Sequence, residues 1–126
     1  DMYQRLAVVS SKEELDELRR ELEDRYGRPS PYVEKLLQVT ETRLEAKAQG
    51  MVLIAQKKDI LEIKWRRVSD MPDLSKLEKP LRSRFRLIPS IPVMVRVSLA
   101  GVSDILDFIQ TLLTAFSSLR KGDSRD

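Results

Sequence analysis

The stretch Glu21-Leu22-Glu23-Asp24-Arg25-Tyr26-Gly27-Arg28-Pro29, followed at once by Ser30-Pro31, reads as the end of one charged helix, a tight stop and the start of another. Leu15, Leu18 and Leu22 recur at helical spacing, and Tyr26 falls four residues further along the same face. Gly27 stands where a residue closing a helix takes positive φ, which costs glycine nothing. Pro29 forbids continuation. Ser30 can cap a new helix, with Pro31 in its first position, where the missing N–H has no partner to lose. The stretch therefore predicts a helical hairpin held by Leu22, Tyr26, Gly27 and Pro29.

Working outward, Tyr3, Leu6, Ala7 and Val9 predict the end of a connecting helix over residues 1–10. The chain opens at Asp1-Met2, so the expectation is a fragment of a longer protein. Ser11 and Glu14 form a capping box that starts the second helix, which runs to about Tyr26. The third runs from Pro31 to about Gln49, with Val33, Leu36, Leu37, Leu44 and Ala48 inward and Gly50 as its stop. The short link makes the two helices antiparallel neighbours across residues 11–49.

After Gly50 the period changes. Met51–Gln56 is apolar and β-branched, and Leu61-Glu62-Ile63-Lys64-Trp65 alternates with Leu61, Ile63 and Trp65 on the buried face. Lys57-Lys58-Asp59 is the turn between them. Leu74–Leu77 can form a short helix ending before Pro80. A second hairpin joins Arg84–Ile88 to Val93–Leu99 through Pro89-Ser90-Ile91-Pro92. Ser103 caps a last helix whose Ile105, Leu106, Phe108, Ile109, Leu112, Leu113 and Phe116 make a broad apolar face. Residues 51–119 thus hold the sheet and its helices, and 120–126 a frayed tail. The expectation is a single α+β domain: a helical hairpin, then two antiparallel β-hairpins in a small sheet packed against a C-terminal helix.

Composition removes whole classes of chemistry. The 126 residues contain neither cysteine nor histidine, so thiol nucleophiles, disulfides and histidine acid–base catalysis have no residues to use. The four glycines are isolated and build no phosphate-cradling loop. The net charge is +3, unevenly spread: residues 11–27 carry four Lys/Arg against seven Asp/Glu, or −3, which leaves +6 elsewhere.

With the leucines inward, Glu14, Glu17, Glu21 and Asp24 fall on one outward stripe with Arg25 at its border. This is a solvated face or a docking surface for a basic partner. Lys64, Arg66 and Arg67 around Trp65, and Arg82, Arg84 and Arg86 around Phe85, interleave cations with aromatics, as nucleic-acid surfaces do. A sheet core would equally claim both aromatics and leave the cations facing outward.

Tyr3-Gln4-Arg5-Leu6-Ala7, Ser11-Lys12-Glu13-Glu14-Leu15, the opening stretch through Pro29, Val33 with Leu36-Leu37, and Arg43-Leu44 before Gly50 together resemble the C-terminal domain of bacterial transcription-repair coupling factors. The shared pattern is E-L-x-D-R-[FY]-G, carried here by Glu21–Gly27, followed by a leucine-rich helix. The likeness is close over the first 50 residues and extends by element order over the rest. It implies a cytoplasmic parent protein that is an ATP-driven DNA translocase, which displaces stalled RNA polymerase and recruits excision repair. It implies that this domain is not the motor: ATP and Mg belong to the parent, and the domain itself needs no cofactor and meets no membrane. The domain is expected to dock on the parent's own UvrB-like N-terminal module and mask the surface that binds UvrA. Glu21, Asp24 and Arg25 then occupy the charged positions of that clamp, with Glu14 and Glu17 extending the row. A nucleic-acid-binding module, or an interaction domain for an unrelated partner, is the alternative.

Overall fold

A computed structural model describes the backbone of residues 1–123 and the side chains through Arg120. The chain comprises two compact units, Asp1–Glu45 and Ala46–Asp126.

The first unit is helical: α1 (Met2–Val8), α2 (Lys12–Tyr26) and α3, which begins at Pro31 and ends at Ala48 in the second unit. Asp1 caps α1 by accepting from the Gln4 N–H at 3.0 Å. Ser11 Oγ accepts from the Glu14 N–H at 3.1 Å, and Ser30 Oγ from the Val33 N–H at 3.2 Å. Both caps stand where the sequence puts them. Gly27 has φ of 79° and donates its N–H to the Glu23 carbonyl at 2.8 Å, closing α2. The core of this unit is Leu6, Val9, Leu15, Leu18 and Leu37, with Leu22, Val33, Leu36 and Leu44 packed at its edge. Arg43 donates to the carbonyls of Leu6 and Val9, tying α3 to the end of α1.

Two residues expected on the inward faces, Tyr26 and Ala48, lie outward. Tyr26 is 73% exposed, although it continues the leucine face. Burial fades along α2, from 1% at Leu15 and 3% at Leu18 to half-buried Leu22, so the final turn extends past the packed cluster. Ala48 is exposed. Near the end of α3 the buried positions are instead Thr40, Thr42 and Ala46. Thr40 hides its hydroxyl by donating to the Leu36 carbonyl one turn back.

The second unit carries a four-stranded antiparallel sheet in the order β1-β2-β4-β3. Its strands are β1 (Met51–Lys57), β2 (Ile60–Trp65), β3 (Phe85–Ile88) and β4 (Met94–Ser98). Each hairpin pairs internally, and β2 with β4 joins them. Leu61, Ile63 and Trp65 are buried as their alternation predicts, beside Val95 and Val97 of β4. The last helix, α5 (Ile105–Asp123), closes this face with Leu112, Leu113 and Phe116. Phe116 meets the Trp65 ring edge-to-face at 5.8 Å and the Phe85 ring at 6.0 Å. The sheet core has claimed both aromatics.

Two local expectations shift. Asp104, not Ser103, caps α5, its carboxylate accepting from the Asp107 N–H at 3.0 Å. Between the hairpins lie two short 3-10 turns (Val68–Asp70 and Leu74–Lys76) and α4 (Lys79–Arg82). The short helix expected before Pro80 is the 3-10 turn Leu74–Lys76, and Pro80 itself lies in the first turn of α4, where a proline lacks only an N–H that the helix would not use. The helix α5 continues over Lys121–Asp123, where a tail is expected; the rest of that tail, residues 124–126, lies outside the described residues.

A buried polar junction fastens α5 to the start of the sheet. The Gln49 side chain donates to the Leu113 carbonyl at 3.0 Å, and Arg120 donates to the carbonyls of Gln49 and Asp70. Gly50 sits in this junction with φ of 82°, and a Cβ there would lie 2.7 Å from Asp70 Cβ and Cγ. Its role as a stop is thus joined by a steric one.

Candidate functional site

The capping of α2 fixes the rotation of its outer face. Glu14, at the third helical position, accepts from the backbone N–H and the hydroxyl of Ser10 at 3.2 Å each. The returning half of the capping box thus reaches one residue further back than the N-cap. From there Glu14, Glu17, Glu21 and Asp24 run outward and exposed, with Arg25 exposed beside them.

The structure groups these residues into two shallow depressions that share Glu17 and Glu21. One is lined by Glu17, Arg20, Glu21, Asp24 and Arg25. The other lies between α1 and α2, with Val8, Val9 and Leu18 as apolar lining and Arg5, Glu14, Glu17 and Glu21 around them. All five sequence-predicted docking residues are therefore brought onto one surface of the helical unit. A third hollow forms at the turn, around Glu23, Gly27, Arg28 and Pro29.

Arg5 and Arg20 are the members that sequence reasoning missed. Arg20 could have been found from its spacing: it is three residues after Glu17 and four before Asp24. Arg5 could not, because its place depends on how α1 lies along α2. Its guanidinium reaches the Glu21 carboxylate at 2.5 Å, with both side chains about half exposed. Arg19 belongs to another face: it pairs with Glu34 at 2.9 Å and reaches Glu41 at 3.8 Å, bracing α2 against α3.

The six cations that the sequence sets around Trp65 and Phe85 are not one cluster. Arg84 donates to the Ser98 and Ala100 carbonyls at 2.9 and 2.8 Å and lies 5.4 Å from the Phe108 ring centre. Arg82 turns towards the carbonyls of Ser75 and Leu77, and Arg67 towards Asp70 at 3.4 Å. Lys64 and Arg86 stand on strands β2 and β3, and Arg66 is exposed just after β2. No group of three or more Asp or Glu among the described residues is placed to hold a metal ion, and no described helix is long and apolar enough to cross a membrane.

The sequence profile of the TRCF domain matches residues 1–73, which include the whole helical unit, the first hairpin and the turn after it. The chain belongs to the TRCF domain family. No curated protein matches the chain. A solved structure described as "Crystal structure of C-terminal domain of transcription-repair coupling factor" is similar over 95% of this chain and 77% of its own length. Its TM-score is 0.64 at 15% identity, so the likeness is one of fold. The opening helical hairpin of this TRCF domain, with its acidic outer face, lies inside the matched region, and the second hairpin and α5 lie beyond it.

Proposed function

We propose that this TRCF domain is a non-catalytic regulatory module of a transcription-repair coupling factor. It docks through α2 on the UvrB-like N-terminal module of the same protein and masks the surface that would bind UvrA. The observation that carries this reading is the exposed row Glu17, Glu21 and Asp24 with Arg25, gathered on a capped helix whose opposite face is buried. An acidic row bordered by one arginine suits a basic surface with an acid at its edge.

A tethered domain meets its partner at an effective concentration on the order of millimolar, so weak contacts suffice. Exposed ion pairs of about 0.2–1 kcal/mol each suit a clamp that must release. Arg5 already engages Glu21, so docking replaces an internal ion pair and gains less from that residue than a free carboxylate would give.

The test is the affinity of the full-length protein for UvrA. Glu21→Ala with Asp24→Ala should raise it by roughly two- to thirtyfold, as two ion pairs of that size predict. Unchanged affinity in a folded double variant would sink the clamp assignment.

A further inference from the structure

The face of the sheet turned away from α5 has a composition that the fold does not require. Two rows cross all four strands there. In one, the pairing brings Ala55, Glu62, Arg96 and Arg86 side by side; in the next, Leu53, Lys64, Met94 and Ile88. None of the apolar members of these rows belongs to the core beneath α5.

The charges are unbalanced in a specific way. Glu62, the one acid in the two rows, is nearly buried and already shared: Lys57 reaches it at 3.0 Å and Arg96 at 3.2 Å. Those two cations hold its carboxyl below the usual range, Lys57 contributing most. Arg86 lies directly opposite Arg96 on the neighbouring strand, a like-charge juxtaposition that weakens a sheet. Arg96 resolves it by leaning to Glu62, which leaves exposed Arg86 and half-buried Lys64 with no acid partner among the described residues. An arrangement that costs stability and leaves two cations uncompensated, Lys64 beside exposed Leu53 and Arg86 on the strand of Ile88, implies an anionic partner with an apolar side.

We infer that this sheet face is a second interaction surface of the domain, binding an acidic amphipathic protein segment. The segment's carboxylates meet Arg86 and Lys64, and its apolar side chains lie on exposed Leu53 and half-buried Ile88, with Met94 buried beneath. The apolar row decides against nucleic acid. Phosphates would leave that row unmatched, and among the described residues the face offers no aromatic ring on which a base could stack. The cationic face lies on strands of the second unit and the acidic row on a helix of the first, so the domain has two surfaces of opposite sign for two kinds of partner.

The experiment titrates the full chain, by calorimetry and amide chemical shifts, with a synthetic helix bearing one Glu-rich and one Leu-rich face. Binding should weaken with salt and shift the amides of Lys64, Arg86 and Met94. Arg86→Glu, at an exposed edge-strand position opposite Arg96, should lower the affinity about tenfold without lowering the melting temperature. The same peptide with serine for leucine should bind more weakly. Four results would overturn the proposal: no binding; binding that maps away from β2–β4; equal affinity of the serine peptide; or duplex DNA displacing the peptide. Concentration-dependent self-association abolished by Arg86→Glu would also overturn it, by assigning the face to a second copy.

Discussion

Gly50 and Gly27 both take positive φ, yet their surroundings separate them. An added Cβ at Gly50 would meet Asp70 at 2.7 Å, whereas none of the atoms outside its immediate neighbours comes within 4 Å of a Cβ at Gly27. Gly27→Ala should cost about 1 kcal/mol, the strain of the backbone alone, and Gly50→Ala about 3 kcal/mol or more, because the junction under α5 must open. Urea unfolding of the two variants reads the difference directly, and equal losses would contradict the packing at Gly50. Glu62 gives a pH signature. Its folded pKa lies below the ordinary 4.5, so between the two values the unfolded chain binds the proton and the folded chain does not. Its contribution is therefore present above about pH 4.5 and lost as pH falls through the folded value. Melting temperature should decline on that acid limb, and Glu62→Gln should flatten the decline.

Among the elements, the helices were the most legible because their ends are written in local chemistry. Ser11, Gly27, Ser30 and Pro31 act on neighbours within one turn, and the structure places each as its residue type dictates. Removing the hydroxyl of Ser11 should destabilise the protein by about 1 kcal/mol, measurable by chemical denaturation. Leu61, Ile63 and Trp65 were equally clear, since strict alternation names a strand's buried face. Tyr26 was not, because periodicity gives a direction around a helix and no information on where the packed neighbours stop. Arg5, Arg82 and Arg84 share a second limit. Each is defined by a partner, a carboxylate or a carbonyl, brought near by the fold rather than by sequence spacing. The acidic row on α2 needed only one helical rotation to be read, but the depression beside it needed α1 in place.

At the scale of the whole molecule, charge is sorted rather than averaged. Residues 11–27 carry −3 and the remainder +6, so a modest net charge conceals an acidic helix and a cationic sheet face. Surface attractions of this kind are screened within about 10 Å at 0.1 M salt, so docking through α2 should weaken steeply with ionic strength. The apolar contents of the two units, by contrast, set stability and respond little to salt. The most direct measurement is calorimetric titration of this chain into the separately prepared UvrB-like N-terminal module, at low and at physiological salt. Weak, salt-sensitive binding that weakens roughly two- to thirtyfold in the Glu21→Ala, Asp24→Ala double variant and is unchanged in Arg86→Glu is the predicted result. Binding that ignores both salt and the loss of Glu21 and Asp24 would contradict the assignment of α2 as the docking surface.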